Sequence, residues 1–263
     1  MTRLSAVDAS LAYDSTIISR ALSVEIPDEK FTVIVGPNAC GKSTLLKALA
    51  RLLLPTEGHI MLDGDIIQNL PTKTVAREIG LLPQGPVAPE GVRVVDLVNR
   101  GRYPHQKLFS PWTHEDDVAV ARAMEATGVH ALSGKMVDEL SGGQRQRVWM
   151  AVALAQETDI LLLDEPTTYL DLNHQIELLE LCRRLNREEG TTMVAVLHDL
   201  NQAARYGDHI IAMKDGSIVA QGSPEKVFTE ELLATAFRVN AKVICDPESQ
   251  TPLVIPRWDH RGS

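Results

Sequence analysis

Gly36-Pro37-Asn38-Ala39-Cys40-Gly41-Lys42-Ser43 satisfies the pattern G-x-x-x-x-G-K-[ST]. Upstream, Phe31-Thr32-Val33-Ile34-Val35 has the β-branched and aromatic content of a buried strand; downstream, Leu45, Leu46, Ala48, Leu49, Leu52 and Leu53 recur at helical spacing. The pattern predicts a strand that feeds a glycine-rich loop into a helix N-terminus. There the first helical N–H groups lack internal partners, the helix dipole is positive, and glycines let the backbone approach a polyphosphate. Lys42 is expected on the β/γ-phosphates and Ser43 on a bridging magnesium ion, with Thr44 beside it in the helix. A glycine-rich turn ahead of an ordinary helix would share the loop pattern without needing both flanks.

The 263 residues, 44% of them apolar, suffice for one large α/β domain or a domain with an inserted subdomain. A formal net charge of −9 argues against a nucleic-acid partner, which would call for a basic stripe, so phosphate affinity must be local. Cys40, Cys182 and Cys245 are scattered and too few for a disulfide framework, as a reducing compartment would allow. Cys40 sits inside the loop, where oxidation would block nucleotide binding; a small buried spacer is the simpler role. Met1 to Ser10 has no apolar core of a signal peptide, and no apolar run approaches the roughly 18 residues needed to cross a bilayer. The expected location is cytoplasmic, with any membrane role delegated to partners.

Along the chain, alternating segments around Leu4 to Tyr13 and Leu22 to Ile26 read as strands. Asp63-Gly64 and Asp215-Gly216, each between apolar runs, signal type I′ hairpins peripheral to a parallel core. From about Gln84 to Asp159 the pattern turns helical, clearest at Val94 to Val98 and Asp116 to Thr127, and it is broken by Pro86, Pro89, Pro104 and Pro111. Ile160-Leu161-Leu162-Leu163 and Met193-Val194-Ala195-Val196-Leu197 are continuous apolar runs, typical of parallel strands covered on both faces, and Leu170 to Arg187 supplies a crossover helix. The expected organisation is a nucleotide-binding core from 1–84 and 160–240, a helical subdomain at 85–159 and a C-terminal extension at 241–263 ending in a polar tail, Trp258 to Ser263.

The strand Ile160 to Leu163 runs into Asp164-Glu165, at the strand end where open parallel sheets present ligand-binding residues. Asp164 is expected to orient the metal and Glu165, reaching further out, to take a proton from an attacking water. Leu140-Ser141-Gly142-Gly143-Gln144 matches a capping box, S-x-x-Q ahead of a helix. Two adjacent glycines cost about 1 kcal/mol each relative to Ala there, so the cap alone does not account for them. Bare N–H groups at this second helix N-terminus make a second anion cradle, and one triphosphate gripped from two sides would explain both.

Taken together these residues resemble the ATP-binding-cassette ATPases over nearly the whole chain, with Leu140 to Gln144 and the following Arg145-Gln146-Arg147 matching the family signature. The resemblance implies a P-loop NTPase core with a mostly parallel sheet, peripheral antiparallel hairpins and an inserted helical subdomain. It also implies a head-to-tail homodimer in which the signature of one copy closes over ATP and Mg2+ held by the other. Under it, Gln84 is the Q-loop residue that senses magnesium and water and couples to a membrane partner. His198 is the switch histidine on the γ-phosphate, Asp171 the D-loop residue at the dimer interface, and Tyr13 the aromatic residue stacked on adenine. Singly, these four also read as a half-buried core tyrosine (Tyr13), a surface-loop glutamine (Gln84), a strand-end histidine (His198) and a helix N-cap (Asp171). Ala39 departs from the family's usual glycine and would be strained if the position needs φ > 0.

Arg100-Gly101-Arg102-Tyr103-Pro104-His105, Thr168 to His174 and Val196 to Asn201 further resemble the ATPase subunits of iron(III)-siderophore importers, a group with vitamin B12 and haem relatives. On that likeness the Arg100 to His105 segment lies near the surface that docks a permease; a basic solvated loop is the competing account. The partners implied are integral permease subunits at the cytoplasmic face of the membrane and, indirectly, an extracytoplasmic substrate-binding protein. A non-transport nucleotide switch would need a coiled coil, a second cassette or a basic tail, and a regulatory GTPase an N-K-x-D segment; the sequence has neither.

Overall fold

The computed structural model describes residues 2–106, 111–168 and 170–257. Trp258 to Ser263, read as a polar tail, and Tyr169 of the Thr168 to His174 segment lie outside the described residues. The chain divides into two compact units, the first taking residues up to Gln68 and from Val194 onward, the second Asn69–Met193.

In the first unit β1 (Leu4–Tyr13) pairs antiparallel with β2 (Thr16–Ile26), with bulges after Ala6 and Ala9. β3 (Phe31–Val35), buried at all five positions, leads through the glycine-rich loop into α1 (Lys42–Leu49), as the sequence predicted. The helix is shorter than the leucine spacing suggested. It stops at Leu49 because Arg51 turns left-handed (φ 59°), so Leu52 and Leu53 fall outside it. β4 (Glu57–Leu62) and β5 (Asp65–Ile66) complete a four-stranded sheet in the order β2-β1-β4-β5. Asp63 and Gly64 between them both take positive φ, 51° and 87°, which makes the expected I′ turn.

The second unit opens with α2 (Thr72–Glu78) and β6 (Ile79–Leu82). α3 (Val94–Asn99), α4 (His114–Ala126) and α5 (Gly142–Ala155) then pack around Val94, Leu97, Val98, Val120, Met124 and Val148, all buried. α4 begins at a full capping box between Thr113 and Asp116, which satisfies two orphan backbone donors. β7 (Ile160–Asp164) is wholly buried and parallel to β6, Leu82 opposite Leu163, so the strand extends one residue further than the apolar run and takes Asp164 with it. α6 (Leu172–Glu189) is the crossover helix, capped by Asp171 and ended by Gly190 at φ 70°. β8 (Thr192–Val196) begins in this unit and finishes in the first.

Back in the first unit, α7 (Leu200–Tyr206) precedes β9 (His209–Lys214), which runs parallel to β3 with Val33 opposite Ile210. β10 (Ser217–Gly222) returns antiparallel through Asp215-Gly216, whose φ values of 47° and 78° make the second I′ turn. At Gly216 a Cβ would meet the Ile18 carbonyl oxygen at 1.9 Å, so the tip of this hairpin admits no larger residue. α8 (Pro224–Val227) and α9 (Glu230–Ala236) follow. Within the segment read only as an extension, β11 (Ala241–Cys245) and β12 (Pro252–Pro256) form a hairpin. The architecture is a mixed α/β fold with parallel core strands and antiparallel hairpins.

Candidate functional site

The glycine-rich loop is held by close backbone packing and by its own lysine. Gly36 lies under the backbone of Met213: a Cβ there would come within 2.3 Å of the Met213 carbonyl oxygen, so only glycine fits. Ala39 adopts φ 62°, the left-handed conformation in which alanine is strained. Gly41 is the N-cap of α1 at φ 103° and, as a glycine, contributes no side-chain cap. The Lys42 side chain, in a residue only 5% exposed, donates from Nζ to the carbonyl oxygens of Gly36 and Pro37, each at 2.9 Å. Those two bonds fold the ammonium back over the loop. Cys40 is buried and burial pushes its thiol up, with the Lys42 ammonium only partly offsetting this, so it behaves as the spacer and not as a reactive thiol.

His198 is exposed, one residue beyond the Leu197 that follows β8. The N–H of Leu197 donates to the carbonyl of Ile34 at 3.2 Å, which ties the histidine's approach to the strand that carries the phosphate loop. Tyr13 ends β1 with 41% of its surface exposed, its ring 5.9 Å from the Lys47 ammonium. The same unit thus holds Tyr13, Gly36 to Thr44 and His198.

The other predicted residues belong to the second unit. Asp164 is 2% exposed at the end of β7. Glu165, next to it, turns left-handed at φ 52°, a strained geometry of the kind that accumulates at functional positions. Its Oε2 accepts from Gln84 Nε2 at 2.8 Å and from Thr168 Oγ1 at 3.3 Å. The sequence named Gln84 and Glu165 separately, 81 positions apart; the fold joins them. Gln84 donates through its amide nitrogen, so its carbonyl oxygen is the atom suited to a cation.

Ser141 caps α5 as expected: its Oγ accepts from the Gln144 N–H at 3.3 Å, and its own N–H donates to Gln144 Oε1 at 3.1 Å. Gly142 and Gly143 form the first turn behind that cap. Gln146, three residues beyond Gly143, donates to the Pro166 carbonyl at 3.0 Å and so pins the turn after Glu165 to α5. Asp171 does serve as a helix N-cap, accepting from the His174 N–H at 3.0 Å and meeting His174 Nδ1 at 2.8 Å. The backbone hydrogen bond first, and the imidazole second, hold its carboxyl below the usual range. Thr168 and Gln146 were missed as site residues, because neither position carries a local signal that it bonds the Glu165 turn.

The account of Arg100 to His105 as a basic solvated loop fails at Arg102, which is 5% exposed. Its guanidinium donates to Asp116 Oδ1 at 2.9 Å, to the Ala155 carbonyl at 2.8 Å and to Glu157 Oε2 at 2.7 Å, joining the turn after α3 to α4 and to the end of α5. His105 Nε2 reaches the Gln156 carbonyl at 2.7 Å, and Arg77 donates to the Pro104 carbonyl at 3.0 Å. Tyr103 projects, 71% exposed, and Arg100 is exposed as well. No helix among the described residues is long and apolar enough to cross a membrane.

Residues 19–168 match the family model described as ABC transporter. The ferric enterobactin transport ATP-binding protein FepC of Escherichia coli (strain K12) is 54% identical over 256 residues, covering 97% of this chain and 94% of that protein. The probable siderophore transport system ATP-binding protein YusV of Bacillus subtilis (strain 168) is 52% identical, with 97% and 93% covered. The dimeric structure of a bacterial ABC transporter cassette superposes with a TM-score of 0.75 at 27% identity, over 84% of this chain and 98% of that one. A loop built for polyphosphate, an acidic strand end and likeness along almost its whole length have one common explanation: the chain belongs to the ABC transporter family, as an ATP-hydrolysing subunit.

Proposed function

We propose that this protein powers the import of an iron(III)-siderophore, binding as a homodimer to the cytoplasmic face of separate membrane permease subunits that receive cargo from an extracytoplasmic binding protein. The observation that carries the cargo class is likeness at 54% and 52% identity, along nearly the full chain, to two proteins named for ferric enterobactin and siderophore transport. In this reading residues 1–84 and 160–240 form the nucleotide core, 85–159 the helical signature subdomain and 241–263 an extension.

The residues divide the work as follows. Lys42 exchanges its two loop carbonyls for the β/γ-phosphates, so ATP replaces bonds the loop already supplies. Gly36, Pro37, Asn38, Ala39, Cys40, Gly41 and Thr44 wrap the phosphates with backbone and hydroxyl groups, and Tyr13 stacks on the adenine. Two copies close head to tail, and the first turn of α5, Ser141 to Gln144, caps the ATP on the other copy's phosphate loop while Asp171 crosses between them. Ser43, Gln84 and Asp164 offer only oxygen donors of the kind magnesium takes, and the ion when bound neutralises developing phosphate charge. Glu165, aimed by Gln84 and Thr168, accepts the proton of the attacking water, and His198 holds the γ-phosphate and that water in line.

Purification of the chain from membranes, followed by ATPase assays of the reconstituted complex with its binding protein, tests the reading. Stimulation by an iron(III)-siderophore is expected. Stimulation by vitamin B12 or haem instead would reassign the cargo, and recovery without any integral subunit would favour a nucleotide switch outside transport.

A further inference from the structure

The loop that presents His198 is only a short bridge between two anchored points. On one side the Leu197 N–H is bonded to Ile34. On the other, the Asp199 carboxylate accepts from the N–H groups of Asn201 at 2.8 Å and Gln202 at 2.9 Å and starts α7. The second anchor is itself held from far away in sequence. The Asn201 side chain donates from Nδ2 to the Val254 carbonyl at 3.2 Å and accepts from the Val254 N–H at 2.7 Å. One amide therefore satisfies both backbone groups of a strand residue, as a neighbouring strand would, and with both partners fixed the amide has a single workable orientation.

Val254 is 6% exposed on β12, whose outer edge would otherwise carry unpaired backbone groups. The hairpin it belongs to is anchored on its far side too. Glu230, in the first turn of α9, accepts from the Val243 N–H at 3.3 Å and from Arg257 Nη2 at 3.0 Å. α9 and the β11–β12 hairpin thus form a fixed base, and Asn201 is the side chain that extends that base to α7. Phosphoryl transfer depends on placing groups to within a fraction of an ångström, and a misplaced one loses rate even where nothing is removed from the site.

We propose that Asn201 is a positioning residue for hydrolysis, and that the C-terminal hairpin, acting through the Asn201–Val254 clamp, sets the place of α7 and with it the place of His198. This rests on the role given to His198 above. The Asn201 amide is taken up on both sides by the Val254 backbone, so the clamp should govern turnover and leave ATP affinity alone.

Steady-state ATPase kinetics of the full chain test it with N201A, H198A and the double variant, alongside thermal unfolding. N201A is expected to lower kcat about tenfold with KM for ATP unchanged, and to add nothing once His198 has been replaced. N201D keeps the acceptor for the Val254 N–H but loses the donor, so its kcat should fall between; it also serves as the readout if N201A folds poorly. Normal kcat in N201A with an impaired H198A would overturn the clamp alone. Multiplying effects of the two substitutions, or a rise in KM that parallels a loss of thermal stability, would mark Asn201 as merely structural and overturn it as well. Unchanged turnover in H198A would overturn the role of His198, and the clamp's role with it.

Discussion

Ala39 stores strain in the middle of the phosphate loop. A left-handed alanine costs about 1–2 kcal/mol, whereas glycine would adopt φ 62° freely at an entropic cost of about 0.5–1 kcal/mol in the unfolded chain. Ala39→Gly should therefore stabilise the nucleotide-free protein by about 0.5–1 kcal/mol in denaturant unfolding; a loss of stability would mean that the methyl group packs usefully. Glu165 is left-handed too, at φ 52°, and its geometry gives a sharper expectation. Glu165→Gln keeps the side chain's shape but removes the proposed proton acceptor, so ATP binding should persist while turnover falls about 10²–10⁴-fold in single-turnover assays. Gln84→Ala should lower turnover less, since it removes one of the two donors that aim Oε2 and not the base. The residue types at these positions were readable from the sequence. Their partnership was not, because a hydrogen bond between residues 84 and 165 leaves no trace in local spacing.

Arg102 shows what a helical element can conceal. In the sequence it sits among Arg100, Tyr103, Pro104 and His105 and reads as part of a soluble loop; in the fold it is a buried cation shared by Asp116, Glu157 and a carbonyl. Breaking such a set strands a buried carboxylate, so Arg102→Ala should cost about 3–5 kcal/mol at neutral pH. Burial alone would raise Asp116, but the hydrogen bonds from Arg102 and Thr113 outweigh it and leave the carboxyl below its ordinary value of 3.8. A depressed folded value contributes stability that is complete above the unfolded pKa and lost as pH falls through the folded one. The wild type should therefore lose this stability below about pH 4, while the penalty of Arg102→Ala should shrink on acidification as Asp116 takes up a proton; chemical unfolding across pH 3–7 measures both. Where residues carry their own environment, elements were legible: β3 and β7 as unbroken apolar runs, both Asp-Gly hairpins as I′ turns, α4 from its helical pattern, α5 from its capping box and α6 as the crossover between two apolar runs. The first half of β2 escaped because bulges against β1 and a left-handed Ala21 break its alternation. The β11–β12 hairpin escaped because two five-residue strands gain their stability from α7 and α9, which no local pattern announces.

Taken as a whole, the molecule carries two helix starts marked by glycines, one at α1 behind Gly41 and one at α5 behind Ser141, in different compact units. Each unit holds its own part of the proposed chemistry: the first folds Lys42 over the loop carbonyls, and the second sets Glu165 with Gln84. A fold read from sequence can supply both parts, and the full-length likeness to siderophore-transport ATP-binding proteins supplies the setting, but neither says which copy's parts meet. The central claim is that a reaction centre takes its phosphate loop from one copy and its signature turn from another. Mixing two variants, K42A and S141R, each inactive alone, tests this most directly, because the mixed dimer would contain one site with neither lesion. Mixed in equal amounts and allowed to exchange, they are predicted to regain up to about a quarter of wild-type ATPase activity, half the dimers being mixed and each having one of two sites intact. A mixture that stays as inactive as its components, or S141R alone hydrolysing at the wild-type rate, would contradict it.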